Sequence, residues 1–325
     1  MVMQSVNPAT EEVLKTYDDF SPQQVDDALQ QAHEAFGRWR TTSISERAVC
    51  LDALARVLRT QKDRWARLIT AEMGKPIVEA EAEIEKCAWN CDFYGKNGAR
   101  FLAVEVVETN AQESLVAFQP LGVVLAMMPW NYPFWQVFRF LAPALMAGNG
   151  AVLKHASNVP QCALAIEEVC RAAGLPEGLF RTVLVPGAET DRLIADPRIQ
   201  AVTLTGSSEV GEQVASAAGK ALKKQVLELG GSDPFIVLAD ADVDAAVTTA
   251  VRARNQNNGQ SCIAAKRFIV EEPVADAFTE KFAGAVQALR VGNPAERKTQ
   301  VGPLARADLR DALGRQVDES VARGA

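Results

Sequence analysis

Two changes of hydrophobic period divide the chain into three regions. From about Ser21 to Arg100 the apolar residues recur at helical spacing. Ser21-Pro22 puts a capping residue before a proline at the first helical position, and Ala28, Ala32, Ala35 and Phe36 then fall on one face. Ser43 or Ser45 opens a second helix, with Leu51, Leu54, Ala55 and Leu58 on one side. A third follows Gly74-Lys75-Pro76 and carries Ile77, Ile84 and Cys91. Near Ala103 alternation takes over: residues 103–109 and 114–124 read as strands joined by a polar turn at 110–113. A two-stranded hairpin is marginal alone, so this one is expected to pair with another sheet or another subunit.

From Val123 short apolar strands alternate with helices. Strands are predicted at 123–128, 151–156, 181–186 and 201–205, with helices at 134–146, 162–173, 189–194 and 210–221. Alternation at this spacing means parallel βαβ units and a doubly wound α/β sheet. Two further strands, 224–229 and 234–238, flank Glu228-Leu229-Gly230-Gly231, which reads as a junction between domains. A helix at 243–255, a strand at 267–272 and a helix at 274–289 complete the pattern. The last residues, VDESVARGA, stop just past a helix, and the chain is expected to be C-terminally cut.

Composition narrows the class. The chain has 325 residues, 34 Lys and Arg against 41 Asp and Glu, and a net charge of -7. No dense basic run offers the footprint of a nucleic-acid binder, and the acidic balance disfavours anionic membranes. The N-terminal MVMQSVNPATEE lacks a basic region followed by an apolar one, and the best apolar stretch, 121–130, is short and contains Pro129. A soluble cytoplasmic protein with reduced thiols is expected for the six cysteines. Cys87 and Cys91 share a helix face, and neither His33 nor His155 stands at zinc spacing, so no metal is expected.

Six places carry candidate chemistry. Cys262 follows the turn-prone Asn257-Asn258-Gly259-Gln260, where a thiol is either an activated nucleophile or an inert core residue. Glu228 interrupts an apolar strand ahead of two glycines; burial would raise its pKa toward that of a general base, and a structural salt bridge is the competing reading. In TLTGSSEVG a strand ends at Gly206-Ser207 and a helix begins, offering either a phosphate site or an ordinary cap; GxGxxG is absent. Pro129-Trp130-Asn131-Tyr132-Pro133 ends a strand, where ligands bind in open α/β sheets; Asn131 could donate to an oxyanion, or the segment is a rigid turn. Lys154 ends another strand and reaches either ribose and phosphate oxygens or solvent. Arg139 is the only charge in helix 134–146, so the helix is expected to be buried on most sides, and a buried guanidinium needs a partner: an acidic residue, or the far carboxylate of a substrate.

Taken together, PWNYP, LKHAS, TGSSEVG, LELGGSDP and NNGQSC, in this order, resemble the aldehyde dehydrogenase superfamily along essentially the whole chain. KHASN, LELGGSDPFIVL and CIAAKRFIVEE are most similar to bacterial succinate-semialdehyde dehydrogenases. The resemblance implies a Rossmann-like NAD domain, residues 1–102 and 122–228, an oligomerisation hairpin at 103–121, and an α/β catalytic domain at 229–325, incomplete here. It implies that Cys262 is the nucleophile and Glu228 the general base, with Asn131 and the Cys262 N–H as oxyanion hole. Lys154 would hold the adenine-side ribose, and Gly206 and Ser207 the pyrophosphate. Pro129 and Trp130 would line the cofactor cleft, the Leu229 backbone would face the nicotinamide, and Arg139 would bind the carboxylate of a semialdehyde. NAD-preferring relatives often carry glutamate three residues after the ribose lysine; here that position is Ser157, so NAD and NADP both stay open. Some succinate-semialdehyde enzymes have a second cysteine two residues after the nucleophile; here it is Ala264, so that local disulfide switch is not expected. The expectation is an aldehyde-oxidising homodimer or homotetramer. The alternatives are another small aliphatic aldehyde as substrate and an inactive dinucleotide-binding fragment.

Overall fold

The computed structural model describes residues 2–325; residue 1, where the first expected domain begins, lies outside the described residues. The chain folds as two compact units. One holds residues up to Ser5, Lys15–Ala66 and Glu81–Leu229; the other holds Val6–Leu14, Arg67–Ala80 and Gly230–Ala325.

The first unit is built on a five-stranded, wholly parallel sheet. Its strands are β5 (Val123–Met128), β6 (Gly150–His155), β7 (Phe180–Thr182), β8 (Ile199–Thr205) and β9 (Lys224–Glu228), in the order β7-β6-β5-β8-β9. All six residues of β5 are buried, as expected for a strand covered on both faces. Val123, Leu125 and Met127 pack with Val152, Val202 and Leu204 against α1 (Pro22–Trp39), α7 (Thr190–Ala195) and α8 (Ser208–Lys220). The alternate residues Val124, Ala126 and Met128 belong to the opposite face. Helices α5 (Trp135–Met146) and α6 (Pro160–Ala172) also pack on the sheet. Truncating a fully buried residue such as Leu125 to alanine would cost about 2–5 kcal/mol. The chain winds outward from β5 through β6 to β7, then returns to the other side of β5 for β8 and β9. That makes the C-terminal ends of β5 and β8 a topological switch point, where doubly wound sheets bind ligands.

Local signals explain the helices. α1 begins in a capping box: Ser21 Oγ accepts from Gln24 N–H at 3.2 Å, and Gln24 Oε1 accepts from Ser21 N–H at 2.8 Å. Of the two candidate serines before α2 (Ile44–Thr60), Ser43 is the cap, boxed with Glu46. The helical stretch then divides further than its periodicity predicts, into α3 (Lys62–Met73) and α4 (Ile77–Phe101).

In the second unit β10 (Asp233–Val237) pairs in parallel with β11 (Ala265–Val270). Helices α9 (Val243–Asn255) and α10 (Glu272–Gln287) join them around Val237, Val247, Ala250 and Phe278; α11 (Ala307–Ala322) follows.

Two strand expectations need correction, and two strands stand where none was expected. Strands β1 (Val2–Val6) and β2 (Val13–Asp18) pair with each other, but β2 is mostly exposed and shows none of the alternation that would announce it. The hairpin exists as β3 (Glu105–Val106) with antiparallel β4 (Leu115–Val116), two residues a side rather than two long strands. β7 stops at Thr182, short of residue 186, because the Leu184 carbonyl accepts from Phe20 N–H at 2.8 Å instead of continuing the ladder. No helix among the described residues is long and apolar enough to cross a membrane.

Candidate active site

Strand register gathers most of the candidate residues of the first unit on one edge of its sheet. Met127 lies opposite Lys154 on one side and Leu204 on the other; Met128 is opposite His155, and Thr205 opposite Glu228. The segments leaving these strand ends therefore emerge side by side. They are Pro129-Trp130-Asn131, Lys154 with Ser157, Gly206-Ser207, and Glu228-Leu229.

The Asn131 turn is held firmly. Asn131 Oδ1 accepts from Tyr132 N–H at 3.1 Å, so the backbone engages the acceptor end of the amide. The donor end, Nδ2, is the one an oxyanion would take. Just beyond, α5 starts without a side-chain cap of its own. Glu83 of α4, only 4% exposed, supplies it: Oε1 accepts from Phe134 and Trp135 N–H, both at 2.9 Å. His155 Nε2 meets the Pro133 carbonyl at 2.9 Å, and its Nδ1 accepts from Ala156 N–H. These contacts fix the tautomer with the proton on Nε2. Burial, with help from the neighbouring Lys154 charge, pushes the imidazole pKa down to about 4. Glu83 lies in no motif, and His155, though part of LKHAS, gives no sign of this contact in the sequence, since both side chains act through distant backbone.

The start of α8 fits a phosphate, with one correction. Ser207 caps the helix, accepting from Val210 N–H at 3.3 Å, so the ordinary-cap reading holds. Gly206 N–H already donates to the Glu228 carbonyl at 3.0 Å. A pyrophosphate would therefore take N–H groups after Gly206, at the positive end of a thirteen-residue helix. Gly211 leaves room for Leu229: a Cβ there would come to 2.5 Å of Leu229 Cδ2. Lys154 is half-buried, and burial lowers its pKa below the ordinary lysine value. Pro129 and Trp130 are half-buried and Ser157 is exposed. A half-buried cation, an open helix N-terminus and a switch point between β5 and β8 together suit a dinucleotide.

Glu228 and Arg139 depart from expectation. Glu228 ends β9, the outer strand of the sheet, and its side chain is 55% exposed rather than buried. Arg139, expected to be buried, is 36% exposed; its Nη1 lies 3.6 Å from Glu228 Oε2, and its Nη2 donates to Thr205 Oγ1 at 3.2 Å. The acidic partner that the helix pattern called for is thus Glu228.

In the second unit Cys262 follows a 3-10 turn, Gln256–Gly259, in which Asn257 and Asn258 adopt left-handed conformations with φ of 58° and 57°. Asparagine tolerates this region better than most residues, and hydrogen bonds hold it there. Asn258 Nδ2 donates to the carbonyls of Gly74 and Pro303, both at 2.9 Å, and its Oδ1 accepts from Gly302 N–H at 2.7 Å. Glu79 Oε2 accepts from Asn257 N–H at 2.7 Å. Cys262 itself is half-buried, and its carbonyl accepts from Lys266 Nζ, which also reaches the Gly231 carbonyl at 2.8 Å. All six cysteines are free thiols. Desolvation by burial raises the thiol pKa values of Cys50, Cys91 and Cys170.

Known proteins resemble this chain along its whole length. A probable NADP+-dependent succinate-semialdehyde dehydrogenase of Synechocystis sp. is 53% identical over 325 residues, covering all of this chain and 72% of the relative. A succinate-semialdehyde dehydrogenase [NADP(+)] of Mycolicibacterium paratuberculosis is 50% identical over 329 residues, covering all of this chain and 70% of the relative. A succinic semialdehyde dehydrogenase of Streptococcus pyogenes, solved with NADP+ as the cofactor, superposes with a TM-score of 0.97 at 36% identity, over 99% of this chain and 71% of that one. The model of the aldehyde dehydrogenase family matches residues 1–325, and with the sheet order and the edge residues in place the chain belongs to that family.

Proposed function

We propose that this chain oxidises succinate semialdehyde to succinate with NADP+, through a thioester on Cys262. The dehydrogenase reading is carried by the gathering of Asn131, Lys154, the start of α8 and Glu228 on one sheet edge at a switch point. The substrate reading rests on Arg139, whose guanidinium stands on α5 beyond Asn131 and is accessible enough to take a carboxylate in a bidentate way. The names of the relatives support it.

Lys154 would hold the ribose and the first N–H groups of α8 the pyrophosphate; the Leu229 backbone would face the nicotinamide, and Pro129 and Trp130 would line the cofactor cleft. The bound nicotinamide supplies the hydride acceptor. The chain's own residues do the rest. The Cys262 thiolate forms a C–S bond to the aldehyde carbon, and the former carbonyl oxygen becomes an oxyanion held by Asn131 Nδ2 and the Cys262 N–H. Departure of hydride from that adduct restores the carbonyl as a thioester. Glu228 accepts a proton from water, whose oxygen attacks the thioester; the C–S bond breaks and frees succinate and the thiolate. Ser157 leaves no carboxylate to repel a 2′-phosphate, which favours NADP+.

In this reading residues 1–102 and 122–228 bind the dinucleotide and residues 229–325 carry the nucleophile. The hairpin at 103–121, with Val104, Val106 and Phe118 exposed, serves assembly into a homodimer or homotetramer in the cytoplasm. The test is an aldehyde panel assayed with NADP+ and NAD+ by the appearance of reduced cofactor. Succinate semialdehyde with NADP+ should give the highest kcat/KM. Equal use of an uncharged aldehyde of the same length would remove the substrate reading and leave the dehydrogenase.

A further inference from the structure

The turn that carries Asn131 is gripped from two sides by buried side chains that reach no reacting atom. One carboxylate oxygen of Glu83 takes the N–H groups of Phe134 and Trp135, and the His155 imidazole meets the carbonyl of Pro133. Three consecutive residues, the second to fourth after Asn131, are thereby tied to α4 and to β6. Glu83 is 4% exposed and His155 5%, so both polar groups stay buried by virtue of these bonds. The same histidine follows Lys154 directly in β6 and accepts from Ala156 N–H, so the strand holding the ribose lysine also anchors the oxyanion turn.

We propose that Glu83 and His155 are positioning residues, which act on acylation by fixing Asn131 rather than by touching substrate. This rests on the reading of Asn131 as oxyanion donor. An oxyanion donor works only if it is already aimed, since a shift of about 1 Å at such a group can cost on the order of a hundredfold in rate. The Tyr132 N–H that orients the Asn131 amide lies one residue before the first clamped group, so release of the clamp loosens the amide through the backbone. α5 would lose its cap at the same time, and with it the fixed start of the helix that carries Arg139.

The experiment is a set of double-mutant cycles read in the pre-steady state. Glu83→Leu and His155→Leu each remove a clamp. Glu83→Gln keeps a carbonyl acceptor, and His155→Gln keeps an amide donor at similar reach. Each is made alone and together with Asn131→Ala, and the burst of reduced cofactor gives the acylation rate. The leucine variants should acylate about ten- to a hundredfold more slowly, with the KM for cofactor unchanged, while the glutamine variants stay close to the parent. In the Asn131→Ala background the leucine changes should add almost nothing, because the donor they position is gone. Equal losses in both backgrounds, or glutamine variants as slow as the leucine ones, would overturn the clamp. Asn131→Ala acylating like the parent would overturn the oxyanion reading itself, a distinct result. If one leucine variant fails to fold, the cycle at the other residue decides by the same criteria.

Discussion

In the first unit the guanidinium of Arg139 faces the carboxylate of Glu228, with Nη1 3.6 Å from Oε2. Both residues have a second attachment at the end of β8: Arg139 Nη2 donates to Thr205 Oγ1, and the main-chain carbonyl of Glu228 accepts from the N–H of Gly206, just past the strand. Both side chains are at least a third exposed, at 36% and 55%, and pairs so open to water contribute only about 0–1 kcal/mol. A substrate carboxylate that binds the fork bidentately can therefore displace the pair.

Arg139→Leu tests that competition. A charge-assisted hydrogen bond is worth about 1.5–3 kcal/mol, so kcat/KM for succinate semialdehyde should fall about tenfold or more. Butanal should change little, since the pair with Glu228 is weak. A parallel fall for both aldehydes would make Arg139 a support for Glu228 and remove the main argument for a carboxylated substrate.

Glu228→Gln keeps the shape of the side chain and removes the base. A burst of reduced cofactor followed by slow turnover is expected, since deacylation alone needs a proton acceptor. Equal slowing of burst and turnover would mean that Glu228 acts before the thioester forms.

Much of this was legible in the chain. The strand–helix alternation after Val123 gave the parallel sheet, because buried parallel strands are short, apolar and separated by helices. Cys262, Asn131 and Lys154 stand out as candidates because they sit at turns and strand ends. An apolar neighbourhood in sequence does not say whether a strand is central or at the edge; β9 is an outer strand, which leaves Glu228, and Arg139 of α5 beside it, open to solvent. The contacts of Glu83 and His155 leave no trace in the sequence because their partners are backbone groups 51 and 22 residues away. The left-handed Asn257-Asn258 pair did leave a signal in Asn-Asn-Gly, but the bonds from Asn258 to Gly74 and Gly302 are tertiary.

His155 should govern acid stability. Its folded pKa, about 4, lies below the ordinary value of 6.5. The unfolded chain therefore takes up a proton that the fold refuses. Stability is full above about pH 6.5 and is lost as pH falls toward 4, by about 3 kcal/mol for a shift of this size. Urea midpoints measured across this range should fall more steeply for the parent than for His155→Gln, which cannot titrate. Matching slopes would mean that other groups dominate the acid limb.

Ser157→Glu should shift cofactor choice toward NAD+. A carboxylate at this exposed position would repel a 2′-phosphate, raising the KM for NADP+ about tenfold while leaving that for NAD+ nearly unchanged. Unchanged KM values for both cofactors would mean that the 2′-phosphate lies elsewhere.

The central claim is a covalent acyl intermediate on Cys262, and Glu228→Gln offers the means to catch it. The variant is mixed with succinate semialdehyde and NADP+, quenched in acid during slow turnover, digested, and its peptides are weighed. The Cys262 peptide should carry the mass of one succinyl group, and Cys50, the other half-buried thiol, should stay unmodified. Reduced cofactor formed in the burst with no acyl group on the Cys262 peptide, or with the group on another residue, would contradict the account.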